Sequence, residues 1–284
     1  MWILGTVPLV VLLASAPRPP TIEKQFAHLA GWTPRISHGA VRVARDDDAA
    51  DGWVADLVFP GDPALGPDDR VGPVRWPVEL ASAEPFGFGS YRARLELASC
   101  GESEELVSAF FAYANDGTDH DGNGIVDNAE IDFEVLCGEP HLLWMTVWTD
   151  YQRQNGQVRC RKQTRVVDMR DGSARDSPPG SACASKLEAS GRLPGVSMPD
   201  FPGRRFHELG FDWYADRVSF FIVIEGRETT LWELTDPRHI PRRPARVRLQ
   251  LWHPRSHWHS GGDADYPARD GTLRVDWVRH WAAR

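Results

Sequence analysis

Three acids alternate with two apolar residues in Glu130-Ile131-Asp132-Phe133-Glu134. On a β-strand successive side chains point to opposite faces, so Glu130, Asp132 and Glu134 share one face and Ile131, Phe133 and Val135 the other. Paired carboxyls are the usual tools for cutting a glycosidic bond: one protonates the departing oxygen, the other attacks the anomeric carbon or activates water. Glu130 and Glu134 lie four residues apart, about 13 Å between Cα atoms at ~3.3 Å per residue. A retaining pair needs roughly 5 to 5.5 Å between its carboxyls, so the strand must curve and the side chains lean together; the spacing alone fits an inverting pair equally well. Mutual repulsion among three acids favours holding one protonated near neutral pH, as a general acid requires. Asp132 is placed to share a proton or hydrogen bond with Glu130. Taken alone, alternating acids on a strand read as a solvated face.

A second chemistry overlaps the first. Asp119, Asp121, Asn123, Gly124, Asp127 and Glu130 match the D-x-[DN]-x-[DN]-G-x5-E calcium loop without a mismatch. The carbonyl of Ile125 would add a ligand. Such loops ordinarily lie between helices, and this one lies between expected strands, where an acidic glycine-rich turn needs no metal. A glutamate holding calcium through both oxygens cannot attack a sugar, so Glu130 is assigned to catalysis. The loop, if metallated, would use Asp119, Asp121, Asn123 and Asp127, completed by water or Asp116, with the calcium structural and no cofactor needed for catalysis.

The elements that must position these groups are strands. Short alternating runs broken by Gly, Pro, Asp and Asn dominate the 284 residues, and helical periodicity is scarce. That pattern implies an all-β sandwich. In "HLLWMTVW", Leu143, Met145 and Val147 oppose Trp144, Thr146 and Trp148. In "RVRLQLW", Val247, Leu249 and Leu251 oppose Arg246, Arg248, Gln250 and Trp252. If these strands share a sheet with the acid strand, its second face is a groove of carboxylates, indoles and hydrogen-bonding groups. Trp144, Trp148, Gln250 and Trp252 then become candidate sugar contacts, because a sugar chain needs flat apolar platforms and directional polar partners. Most of the twelve tryptophans are expected to fill the core.

The net charge of −8 and the lack of a basic block argue against nucleic acid as a partner. The opening "MWILGTVPLVVLLASA" is too short to span a bilayer and ends in small residues, so residues 1–18 are expected to be a secretory signal peptide. Once it is removed, a secreted, extracellular monomer with no membrane association is expected. Four cysteines without C-x-x-C spacing suggest two disulfides, with three pairings possible. Residues 19–284 read as one domain, with a long surface loop over about 152–205 that is rich in Ser, Pro, Gly and Asp. His253, His257 and His259 read as a solvated loop at the groove's rim rather than a metal site.

From Val78 to Trp281 the sequence resembles glycoside hydrolase family 16. "EIDFE" matches the family's E-x-D-x-E mark. "VELASAEPFGFGSYRARLEL" is similar to its Glu, Gly-aromatic-Gly, Arg pattern, and "FHELGFDWYADRVSFFIVIEG", "IPRRPARVRLQLWHP" and "LRVDWVRHW" to its later strands. The resemblance implies a concanavalin A-like β-jelly roll with a concave substrate groove. It makes Glu130 the nucleophile, Glu134 the acid/base and Asp132 their helper. Glu79 and Trp252 match sugar-contacting positions, and Asp276 a calcium ligand on the convex side. In that fold consecutive strands of the catalytic sheet run antiparallel, which brings Cys100 and Cys137 to one edge and leaves Cys160 for Cys183. Two positions depart from the family: Ala81 stands where Arg is common, and Asn128 where some glucanases carry Trp. Both bear on the subsites. The implied activity is retaining cleavage of internal β-glycosidic bonds in a polysaccharide, with a β-glucan favoured. A transglycosylase on the same site and a non-catalytic carbohydrate-binding protein are the alternatives.

Overall fold

The computed structural model describes residues 19–65, 77–178, 183 and 186–283. The expected signal peptide lies outside them. In chain order the strands are β1 (Ile22–Gln25), β2 (Trp32–Ile36), β3 (Ala40–Arg45), β4 (Trp53–Phe59), β5 (Val78–Phe86), β6 (Gly89–Glu96), β7 (Val107–Ala114), β8 (Asp127–Leu136), β9 (Leu142–Gln154), β10 (Gln157–Asp168), β11 (Ser173–Asp176), β12 (Glu188–Arg192), β13 (His207–Trp213), β14 (Val218–Ile224), β15 (Arg227–Leu234), β16 (Ala245–Trp252) and β17 (Gly271–Ala282). Among the described residues a single 3-10 turn, Pro237–His239, lies between β15 and β16. No helix among the described residues is long and apolar enough to cross a membrane.

The strands form two antiparallel sheets packed as a jelly-roll sandwich. One has nine strands in the order β12-β11-β10-β9-β8-β7-β16-β5-β2. The other has eight, in the order β15-β14-β13-β6-β17-β4-β3, with β1 added against β17. The inner face of the nine-stranded sheet is the aliphatic side read from alternation: Ile131, Phe133 and Val135 of β8, Leu143, Met145 and Val147 of β9, and Val247, Leu249 and Leu251 of β16 are all buried. They meet the other sheet through aromatic contacts, Phe133 against Phe220 at 5.1 Å and Phe110 against Phe211 at 5.6 Å between ring centroids. Because the strand period is two, burying these residues commits their neighbours to the outer face. The core therefore fixes which way the acid row points.

Both disulfides pair as the family resemblance implies, Cys100 with Cys137 and Cys160 with Cys183, at Cα separations of 5.5 and 5.7 Å. Two other expectations need correction. The stretch about 152–205 is not a loop: it carries the end of β9, all of β10 and the short β11 and β12, which extend the groove sheet. Its polar composition hides a hairpin signal, Asn155-Gly156, whose two residues take φ of 51° and 78°, the left-handed pair that a tight two-residue turn demands. The tryptophans are also less of a core set than composition suggests. Trp213, Trp232 and Trp277 are buried, while Trp144, Trp148, Trp252 and Trp258 are only half-buried.

His280 of β17 is buried against Tyr91 and Phe86, with ring centroids 4.4 and 5.1 Å away, and among the described residues neither of its nitrogens has a partner. Burial pushes its imidazole down to about 4. In the unfolded chain a histidine protonates near 6.5. As pH falls below that value the unfolded state takes up a proton that the native state refuses. Stability is therefore whole above about 6.5 and declines toward about 4, by at most about 3 kcal/mol from this residue. Urea titrations of the His280→Phe protein are expected to lose less stability than wild type between about pH 7 and about pH 4.5. Parallel losses would show that His280 is not the sensor.

Candidate active site

Strand β8 lies between β7 and β9, and the register sets the neighbours of each acid. Tyr113 and Trp148 flank Glu130, Phe111 and Thr146 flank Asp132, and Ala109 and Trp144 flank Glu134. One strand further out, Lys162 of β10 lies beside Trp148, and Arg248 and Gln250 of β16 lie beside Phe111 and Ala109. The structure thus brings Glu130, Asp132, Glu134, Trp144, Trp148 and Gln250 onto one face of one sheet, as alternation implied. It adds a cation that sequence reasoning missed: the Lys162 ammonium sits 4.5 Å from the centre of the Trp148 ring. Lys162 falls in the stretch read as a loop, which is why no strand parity assigned it to the groove.

Charge is arranged unevenly along the row. Burial pushes Glu130 up, against an Asn128 hydrogen bond and the positive charges of Arg248 and Lys162. Asn128 Nδ2 donates to Glu130 Oε2 at 2.6 Å. Burial also raises Glu134, reinforced by the charge on Glu130 and opposed by Lys162 alone. Asp132, the most enclosed of the three, is raised by burial and then by both glutamates, with Trp148 and Lys162 opposing. Burial in turn lowers Lys162, while the three acids hold it up. The row shares protons as a unit. Its donors and cations favour the ionised form at Glu130 over that at Glu134.

No family model and no curated protein matches the sequence. Solved structures do match. A prokaryotic β-1,3-1,4-glucanase (lichenase) from a mouse hindgut metagenome superposes with a TM-score of 0.51 at 16% identity, over 92% of this chain and 99% of that one. The laminarinase catalytic domain of Thermotoga maritima MSB8 gives 0.54 at 14%, over 94% and 98%. The Crh5 transglycosylase gives 0.53 at 20%, over 94% and 89%. The fold is theirs.

Beyond Glu134 the groove carries an aromatic wall. Trp258 packs edge-on against Trp144 at 5.4 Å and tilted against Trp252 at 6.0 Å. Its loop was expected to be solvated. Instead it is pinned by two carboxylates from the neighbouring edge. Glu105, fully buried, bonds His257 Nδ1 at 2.6 Å, and its carbonyl accepts from His253 Nδ1 at 2.8 Å. Glu139 accepts from the backbone N–H groups of His259 and Ser260 at 3.0 and 2.7 Å. The histidines serve as clamps, and their acidic partners lie too far away in sequence for spacing to reveal them.

Glu79 is not open to a sugar. It is 3% exposed. Arg248 Nη1 donates to both its oxygens at 3.1 Å, Gln250 Nε2 donates at 3.0 Å, and Arg35 completes the set at 3.5 Å. It braces two groove residues, because a buried carboxylate must be neutralised where it lies. Asp276 does not offer a calcium site either. Its carboxylate is fully buried, one oxygen bound by the Arg94 guanidinium and the other by the Ala50 N–H at 3.0 Å. Arg94 supplies the charge that an ion would bring.

The 119–127 loop is different. Carboxylate oxygens of Asp119, Asp121 and Asp127 lie within 4.8 Å of one another, an all-oxygen set that suits a hard cation. Asn123 turns elsewhere, its Nδ2 to Asp121 and Asp150 and its Oδ1 to the Ile125 N–H. Glu130 belongs to the groove.

Removing the Glu79 carboxylate strands the largely buried Arg248 guanidinium. Glu79→Ala is expected to cost about 3 kcal/mol, read as a lowered urea midpoint. A loss within about 0.5 kcal/mol, the size of a neutral surface change, would show that the buried carboxylate does not hold Arg248.

Proposed function

We propose that this chain is a glycoside hydrolase that cleaves internal β-glycosidic bonds of a polysaccharide, a β-glucan by the family resemblance, with retention of configuration. The observation that carries the reading is the alternating row Glu130, Asp132, Glu134 on the groove face, with a donor and cations at one end and indoles on both sides. Glu134 protonates the glycosidic oxygen as the bond to the anomeric carbon breaks, and the free oxygen of Glu130 attacks that carbon. In the second step Glu134 takes a proton from water, which displaces Glu130; two inversions leave the configuration unchanged. Asp132 holds the row together and buffers its charge. Trp144, Trp148, Trp252 and Trp258 supply platforms on which sugar faces stack. The solved neighbours include a glucanase, a laminarinase and a transglycosylase, which supports carbohydrate as the substrate class. A purely binding protein has no use for three acids kept together at electrostatic cost. The two disulfides support export to an oxidising compartment.

A panel of β-glucans and galactans should show shortening of at least one polymer, with the first-formed anomer, read by proton NMR, matching the substrate. Inversion, or an untouched panel, would defeat the reading. Glu134→Gln is expected to lower turnover of the polymer roughly 10²- to 10⁴-fold, while an aryl glycoside whose leaving group needs no protonation still releases its phenol. Loss on both substrates alike would take the acid's role from Glu134. If added oligosaccharide acceptor lengthens the products, transfer outcompetes hydrolysis at the same site.

We also propose that the 119–127 loop holds a structural calcium through Asp119, Asp121 and Asp127. It would stiffen the entry to β8, and the chemistry does not pass through it. Chelation is expected to lower the melting temperature of wild type but not of Asp121→Ala. Equal shifts, or none in wild type, would remove the ion from the account.

A further inference from the structure

The position two residues before the nucleophile, Asn128, is where the sequence departs from the family, and it leads to a feature of the site that the acid row does not explain. Asn128 is 2% exposed. Its Nδ2 donates to Glu130 Oε2 at 2.6 Å, and its Oδ1 accepts from Asn115 Nδ2 at 3.0 Å. Asn115 Oδ1 in turn accepts from the backbone N–H of Gly117 at 3.0 Å.

We propose that Asn115 and Asn128 form a one-way amide relay that keeps Glu130 a hydrogen-bond acceptor and so assigns it, and not Glu134, the nucleophile's part. The proposal rests on the glycosidase reading above.

The polarity of an amide side chain follows from its partners, because its oxygen and nitrogen differ only in what they accept or donate. Gly117 N–H can only donate. It fixes the oxygen of Asn115 toward the turn and the NH₂ toward Asn128. That fixes the oxygen of Asn128 toward Asn115 and its NH₂ toward Glu130. Turning either amide alone sets two donors or two acceptors face to face. A single backbone N–H, thirteen residues before Glu130 in the sequence, therefore dictates that Glu130 meets a donor. One carboxylate oxygen is held, and the other is left for the anomeric carbon. A short bond of this kind to an ionised acceptor is among the stronger hydrogen bonds proteins make. Among the groups that face Glu130, Arg248 from β16 and Lys162 from β10 act in the same direction as the relay. Asp132 and Glu134 on its own strand, and the enclosure made with Tyr113 and Trp148, act against it. Lys162 acts on Glu134 as well; Asn128 and Arg248 distinguish the two glutamates. Asn115 and Asn128 are positioning residues, since neither is required to touch the sugar.

The test uses the full chain and the most responsive polymer of the panel. Asn128→Ala is expected to lower kcat/KM roughly ten- to a hundredfold, the scale of a lost hydrogen bond to a charged group, with KM little changed and the acid limb of the pH profile moved to higher pH. The deciding comparison is at Asn115, on the exposed turn. Asn115→Asp keeps the acceptor for Gly117 N–H, because Asp and Asn make the same turn, but it cannot donate to Asn128. Asn128 must then turn its NH₂ to the new carboxylate and present oxygen to Glu130. Asn115→Ala merely frees Asn128. The relay predicts that Asn115→Asp is several-fold worse than Asn115→Ala, and that adding it to Asn128→Ala costs much less than it does alone, only what its added charge exerts through space. If Asn115→Asp is no worse than Asn115→Ala, or if Asn128→Ala leaves the acid limb in place, the relay is overturned. Should Asn128→Ala fail to fold, the Asn115 pair decides. Should wild type cleave nothing on the panel, the glycosidase reading falls, and the relay is still read by carbon-13 titration of the Glu130 carboxyl. An upward move in Asn115→Asp, larger than in Asn115→Ala and much reduced when Asn128→Ala is also present, supports it; equal values, or the same move with and without Asn128, overturn it.

Discussion

Three carboxyl groups on one strand face can be taken out of water only if their charge is answered locally. Even after relaxation, each ion moved into a low-dielectric site costs several kcal/mol. The groove sheet answers in three ways. Protons are held by the row, because burial raises all three acids and the charge on Glu130 raises Asp132 and Glu134 further. Positive charge is supplied by Lys162, whose ammonium rests on the Trp148 ring, and by Arg248 across the sheet. A directed donor is supplied by Asn128 to Glu130. None of these lies on the acid strand except Asn128. The chemistry of β8 is thus set by its neighbours in the sheet, and the sheet order is what the fold contributes to the site.

Arg248 shows how this balance is metered. A guanidinium facing Glu130 with no other partner would form a direct ion pair and engage the lone pairs that the proposed nucleophile needs. The buried Glu79 prevents that by taking Arg248 Nη1 on both oxygens. Glu130 then feels the charge at a distance, enough to favour ionisation and too diffuse to hold the carboxylate. The Tyr113 ring, 4.6 Å beneath the guanidinium, adds a second hold on its position. A residue matched to a sugar-contacting position by sequence resemblance thereby acts on Glu130 through another side chain.

Legibility in the sequence followed periodicity. The alternation of β8, β9 and β16 was visible because one face of each is aliphatic and buried, and that alone placed the acids, Trp144, Trp148 and Gln250 together. Lys162 was not visible, because β10 is half-exposed and its polar run carries no aliphatic stripe. Trp258 was not visible, because its position depends on Glu105 and Glu139, which reach it across more than a hundred residues of chain. Asp276 and Glu79 were found as acids at matching positions, but their guanidinium partners Arg94 and Arg248 are set by cross-strand packing, which no local pattern reports. What the sequence hid was mainly the pairing of charges, since a pair becomes a pair only in the register of the sheet.

The overlap of the calcium pattern with the acid row is resolved by the same geometry. In a helix, three residues advance about 4.5 Å, so the last acid of such a loop folds back onto the ion. In a strand, three residues advance about 10 Å, and Glu130 is carried away from Asp127 into the groove. The pairing of β8 with β9 also shifts register between Asp127 and Glu130, so that three steps on β8 face two on β9. A bulge of this kind re-aims side chains and lets two adjoining segments be set independently. Asn128 lies within that stretch, which explains how the residue before the row can turn its amide onto Glu130 while Asp127 stays with the loop. The motif's twelfth position is therefore shared in sequence only; the extended backbone gives the loop and the groove one acid each.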